Sequence, residues 1–190
     1  MCGQYPDLLL AEYYKKNGCI PDPYKIKEIY TQERPDWVNY FMAMAFLAKE
    51  RSHDIQTKHG CVITSKHNIV LGMGYNGFPT GSMDDQLPNT RPNKYPFVIH
   101  SELNAVLNCS VPPRFLGGGI AYVTGRCCLD CLKVLGQAHV KTIYYADRQG
   151  SKLENDKQFE IEKILIQHMG LTLIKVTPDF SFFKNIFEVS

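Results

Sequence analysis

The sequence predicts an α/β fold, a sheet covered by helices on both sides. Two observations predict it. After an opening hairpin, short β-rich runs alternate with runs of helical period through most of the chain. The 190 residues are 44% hydrophobic and 21% charged, which suits a soluble chain with one sizeable core and no second domain.

The elements follow in order. Residues 1–34 mix Tyr, Pro, Lys and Gly without periodicity and read as an N-terminal extension or arm. Pro35 sits where a helix begins, with Asp36 favourable in its first turn. Trp37, Tyr40, Phe41, Met44 and Leu47 follow at helical spacing through about Glu50, a stripe expected to face the core. Gly60 to Thr64 and Ile69 to Met73 read as a hairpin turned at Ser65-Lys66-His67-Asn68. Gly74 to Phe97 is long, irregular and rich in Pro, Gly, Asn and Asp, a pattern that favours a functional loop. A short helix over His100 to Asn108 is expected to turn Leu103, Val106 and Leu107 inward. A strand (Ile120 to Thr124), a helix (Cys128 to Gln137) and a strand (Val140 to Ala146) come next. A helix from Lys157 to His168 carries Phe159, Ile161, Ile164 and Leu165, and Leu171 to Val176 is the last strand. The body is thus residues 35–177. The tail, 178–190, with Phe180, Phe182, Phe183, Ile186 and Phe187, is too apolar to stay undocked.

Composition excludes several classes. Net charge is +2 without a dense Lys/Arg block, which argues against a chain built to grip nucleic acid. No apolar run has the length of a signal core or a membrane span. Seven cysteines raise the question of a disulfide scaffold, but the number is odd and Cys127, Cys128 and Cys131 crowd together. That pattern points to a reducing, cytoplasmic setting and to metal binding.

The crowding becomes chemical when joined to His100-Ser101-Glu102. One imidazole (His100) and two thiolates (Cys128, Cys131) can hold a tetrahedral zinc and leave its fourth position for water, as catalytic sites do. Each half falls at the start of a helix, where backbone N–H groups and the helix dipole favour thiolate. Glu102 would sit beside the metal as a proton carrier, and these are the parts of hydrolytic amine removal from a nucleobase. A redox Cys-x-x-Cys or half of a structural finger stands as the other reading. No second Cys-x-x-Cys or His-x-x-x-His pair completes a finger.

The flanking residues carry a resemblance. Gly72-Met73-Gly74-Tyr75-Asn76-Gly77-Phe78-Pro79, Asp84-Asp85 and Lys94 through Ala105, with Arg34-Pro35-Asp36-Trp37 and Arg51-Ser52 upstream, resemble the deoxycytidylate (dCMP) deaminases over about residues 34–147. The resemblance implies the cytidine-deaminase-like three-layer α/β/α sandwich around a mixed sheet of about five strands, commonly assembled as a homohexamer. It implies zinc on His100, Cys128 and Cys131, Glu102 as proton shuttle, and hydrolysis of dCMP to dUMP and ammonia. Asn76 matches an asparagine that meets the sugar; Ser101, Asn104 and Tyr145 are further candidate pocket residues. Many family members are activated by dCTP with Mg2+ and inhibited by dTTP. Tyr75, Gly77, Asp84 and Asp85 lie where that effector site is built, although a solvated turn suits the two aspartates as well.

Two departures from the family pattern stand out. Ser101 replaces the usual alanine, and Cys127 replaces the proline that normally precedes the first cysteine ligand. Three roles are open to Cys127: competing ligand, oxidisable thiol or buried neutral group. Arg91, Lys94, Arg114 and Arg126 are candidates for a phosphate contact. The rival functions are deamination of dCTP, deoxycytidine or a base in RNA, and a catalytically idle nucleotide-binding body.

Overall fold

Five strands form one mixed sheet: β1 (Gly60–Thr64), β2 (Val70–Tyr75), β3 (Ile120–Val123), β4 (Thr142–Ala146) and β5 (Thr172–Val176), in the order β2-β1-β3-β4-β5. β1 pairs antiparallel with both β2 and β3, whereas β3, β4 and β5 run parallel. The computed structural model describes residues 15–18, 34–146 and 156–184. The chain divides into two compact units, Met1–Arg34 and Pro35–Ser190. In the first, Lys15 to Asn17 form one helical turn; most of the proposed arm lies outside the described residues.

Side-chain alternation along the strands assigns each face its helices. Cys61, Ile63, Ala121, Val123 and Ile143 point to one side. There they meet α2 (Ser101–Leu107), α3 (Leu129–Gln137) and α4 (Asp156–Met169) through Ala105, Val106, Leu132, Leu135, Ile166 and Met169. Val62, Tyr122 and Tyr144 point to the other side, onto Phe41, Met42 and Ala45 of α1 (Trp37–Lys49). The result is the cytidine-deaminase-like sandwich that the resemblance implies. Among the described residues no helix is long and apolar enough to cross a membrane.

Three helix faces differ from the expected ones. Asp36 caps α1, accepting from the Asn39 N–H at 2.8 Å, but the buried face is Phe41, Met42, Ala45 and Ala48. Trp37, Tyr40 and Leu47 are 56%, 41% and 62% exposed. Small residues decide this: a Cβ on Gly60 would stand 2.1 Å from the Ala45 carbonyl oxygen, so α1 lies on β1 through its alanine side. On α2, Val106 is buried as expected, but Leu107 is exposed and Ser101, Glu102 and Ala105 are buried instead. On α4, Ile161 and Ile164 face outward, and the inward position belongs to Glu162, only 1% exposed. Its partner is described below.

The tail docks as far as it is described. Phe180 packs on Phe46 with ring centroids 5.0 Å apart, and the Asp179 N–H donates to Asn39 Oδ1 at 2.7 Å. Ile186 and Phe187 lie outside the described residues.

α2 rests on β2 as α1 rests on β1, helix backbone against glycine. A Cβ on Gly74 would stand 2.3 Å from the Ala105 nitrogen and 2.5 Å from the Ser101 oxygen, and one on Gly72 would stand 2.5 Å from the Ala105 oxygen. These are backbone atoms that cannot swing aside. Gly74→Ala is therefore expected to cost about 1–3 kcal/mol of stability and to lower the metal content of the folded chain. Gly117→Ala, with open space around it, should stay within about 0.5 kcal/mol. Denaturant titration with metal analysis checks both.

Candidate active site

His100 is the N-cap of α2 and Cys128 the N-cap of α3, both with extended backbone. The sheet delivers both helix starts to one end of the molecule, so the imidazole meets the Cys128-Leu129-Asp130-Cys131 turn. His100 Nδ1 lies 3.4 Å from Cys128 Sγ and 3.4 Å from Cys131 Sγ, and the three donor atoms fall within 4.8 Å of one another. Nitrogen and sulfur ligands of a tetrahedral zinc, at bond lengths of about 2.0 and 2.3 Å, stand about 3.5 Å apart. The donor set therefore fits zinc in both chemistry and spacing.

Electrostatics agree. A hydrogen bond with Cys131 lowers the Cys128 thiol to about 4, helped by His100 and the Cys131 N–H against the opposing effect of burial. The same hydrogen bond, with burial, pushes the Cys131 thiol far up. Hydrogen bonding to Cys128 in turn raises His100. Metal binding to such a set takes the thiolate forms and releases protons.

His100 and Cys128 line a cavity of about 180 Å³ whose wall also includes Ser101, Glu102, Asp54, His59, Asn76, Lys94 and Arg126. Glu102 is buried, and its Oε2 accepts from the Ser101 hydroxyl at 2.8 Å, a bond that alanine cannot make. Cys127 is buried among core residues and stays outside the donor cluster. Burial, followed by the charge of Glu102, holds its thiol well above the usual cysteine range. Of the three roles open to it, the buried neutral thiol is the one the geometry has.

Asn76 lines the cavity, yet its amide is engaged with the protein. Oδ1 accepts from the His59 N–H at 2.6 Å, and Nδ2 donates to Asp54 Oδ2 and the Thr57 carbonyl. Asp54 also takes both bonds of the buried Lys94 ammonium, each at 2.6 Å. Burial opposes ionisation of Asp54, but Lys94 and the N–H groups of Thr57 and Gln56 outweigh it and hold the carboxyl below its ordinary value.

Asn104 turns away from this cavity. With Tyr75, Gly77, Asp84, His53 and Asn108 it lines a second, polar cavity of about 300 Å³, and its amide donates to the Tyr75 carbonyl at 2.8 Å. Asp84 stands 3.7 Å from His53, and Asp85 is not part of the lining. Tyr145 meets the first cavity through Arg126, whose Nη1 donates to its hydroxyl at 3.2 Å. Sequence reasoning missed Asp54, His59 and Glu162. No local pattern marks them, because each matters through partners 17 to 40 residues away.

Residues 35–147 match the model of the cytidine and deoxycytidylate deaminase zinc-binding region. The chain belongs to this deaminase family. It is 35% identical over 152 residues to the deoxycytidylate deaminase of Mus musculus, covering 77% of this chain and 83% of that one. To the deoxycytidylate deaminase of Homo sapiens it is 33% identical, covering 82% and 90%. Among solved structures it is similar to the dCMP deaminase of cyanophage S-TIM5 in complex with dCMP and dUMP. That match has a TM-score of 0.57 and 25% identity over 76% of this chain and 100% of that chain.

Two predictions follow from the geometry of this deaminase site. Cys127→Ala should retain full zinc content by metal analysis, whereas Cys128→Ala should lose it. Asp54→Asn leaves Lys94 buried without its counter-charge and should cost about 3–5 kcal/mol in denaturant titration. Because the folded-state value of Asp54 is depressed, its contribution is complete above about pH 4 and disappears as pH falls through the lowered value. The variant should show a flatter acid limb in stability against pH.

Proposed function

We infer that the chain hydrolyses dCMP to dUMP and ammonia. The observation that carries this is one cavity wall holding the His100 and Cys128 donors together with the Glu102 carboxylate, with buried Cys131 completing the donor cluster behind them, in a chain of the deoxycytidylate deaminase family. Zinc held by these donors supplies, when bound, the acidity that makes water a nucleophile at neutral pH. Glu102 takes one proton from the attacking water and delivers it to N3 of the cytosine, then carries the second, from the oxygen now bonded to C4, to the amino group as the C4–N bond breaks and the C4 carbonyl forms. Ser101 steadies the carboxylate through its hydroxyl and offers its backbone N–H to the base. Asn76 holds the 54–59 segment in the cavity wall, and its place there supports a position beside the sugar.

The second cavity supports a nucleotide effector site at Tyr75, Gly77, Asp84 and neighbouring Asp85, for dCTP with Mg2+ and for dTTP. Alternate residues of Tyr75-Asn76-Gly77 line the two cavities, and Gly77 pairs with Ile99 directly before His100. An occupant of one cavity thereby bears on the other. The exposed apolar side chains Met73 and Leu107 support association into a homohexamer. The clustered unbridged cysteines support a cytoplasmic setting.

Glu102→Gln should lower kcat for ammonia release from dCMP by about 10²–10⁴-fold at unchanged zinc content; undiminished turnover rejects the proton-carrier role. In the parent chain dCMP should be preferred over deoxycytidine, and equal rates reject a nucleotide substrate. Initial rates insensitive to both dCTP and dTTP reject the effector site, and a monomeric mass in solution rejects the hexamer.

A further inference from the structure

Arg126 occupies the cavity wall beside Cys128 and Glu102, and no step above uses it. Its guanidinium is gripped from behind. Nε and Nη2 donate to the two oxygens of Glu162 at 3.1 and 2.7 Å, and Nη1 donates to the Tyr145 hydroxyl at 3.2 Å. The rings of Tyr145 and Phe159 lie 5.5 and 6.0 Å from its central carbon. Glu162 is 1% exposed, and α4 turns two isoleucines outward to put it there.

Stability does not account for such a pair. Removing two charges from water is costly, and well-packed apolar residues at both positions serve a fold equally well or better. A forked, charge-assisted grip instead fixes the direction of a guanidinium. The cavity has two other fixed cations, and they differ from Arg126. Lys94 faces Asp54, which also lines the cavity, so its charge is cancelled where a ligand would meet it. Arg91 is exposed and bonded to the Thr57 hydroxyl on the surface loop. Glu162, which grips Arg126, by contrast lies outside the cavity lining. The guanidinium lines the cavity and this carboxylate stays behind it.

We infer that Arg126 is the residue that reads the 5′-phosphate of the nucleotide, held in direction by Glu162 and Tyr145 as positioning residues. This rests on the reading above that the substrate is a nucleoside monophosphate. The cytosine ring is neutral, so the one strong anion on such a substrate is its phosphate, and a planar forked donor set suits it.

The test uses the full-length, zinc-loaded chain with two readouts: binding of dUMP and deoxyuridine by calorimetry, and turnover of dCMP and deoxycytidine. Arg126→Gln should weaken dUMP binding and lower kcat/KM for dCMP by about 10- to 100-fold, leaving deoxyuridine and deoxycytidine unchanged. Arg126→Lys should recover only part, because an ammonium cannot span both Glu162 oxygens. Glu162→Gln should raise KM for dCMP several-fold at unchanged kcat, and Tyr145→Phe, which removes a single bond, should shift it in the same direction if Glu162→Gln does not fold. Equal losses on nucleotide and nucleoside overturn the inference, as does a phosphate preference that disappears with Arg91→Gln but survives Arg126→Gln. If the parent fails to deaminate dCMP yet binds dUMP in an Arg126-dependent way, the proposed function fails and the phosphate reader stands. If dCMP is deaminated and Arg126→Gln keeps the preference, the reverse holds.

Discussion

α2 carries His100 and Glu102 to the cavity only because its backbone lies against the edge strand β2 at Gly72 and Gly74. A side chain at either glycine would occupy the space of α2 backbone atoms. The contact sets the depth of α2, and with it the height of His100 above the Cys128–Cys131 turn. α3 has its own constraint, since Leu132 and Leu135 are fully buried under the same face of the sheet. Two helix starts fixed independently against one sheet give a preformed donor set, with 3.4 Å between the imidazole nitrogen and each sulfur. Preformed geometry of this kind avoids reorganisation when the metal and substrate arrive.

Around that frame, buried charges appear in pairs whose placement differs. Asp54 and Lys94 close a network with Asn76 that shapes the 54–59 segment, and both partners line the cavity. Arg126 and Glu162 are split between the cavity and the layer behind it. Both members of the first pair line the cavity, whereas of the second only Arg126 does. In a medium of low effective dielectric this difference in placement matters more than the count of charges.

The long segment after β2 links the two cavities with only two short 3-10 turns, Asp84–Gln86 and Tyr95–Phe97. Asn76 belongs to one wall while Tyr75 and Gly77 belong to the other. The Gly77–Ile99 bridge ties that segment to the residue before His100.

Much of this was legible in the residues themselves. The strand and helix order follows from periodicity, and the donor set follows from His100-x-Glu102 and Cys128-x-x-Cys131, because metal chemistry demands particular side chains at short spacing. The faces of α1, α2 and α4 were only partly legible: Phe41 and Val106 turn inward as expected. Trp37, Tyr40, Leu47, Leu107, Ile161 and Ile164 are apolar and still point outward, since the inward face is chosen by what the sheet can accept: alanine against Gly60, small residues against Gly74, and a carboxylate opposite Arg126. The same limit applies to Cys127, whose neighbours alone left three roles open and whose burial selects one. Local sequence determined which chemistry the chain can carry. Tertiary packing decided which side chains reach it, because contacts between distant segments, and not hydrophobicity along one helix, set what each position faces.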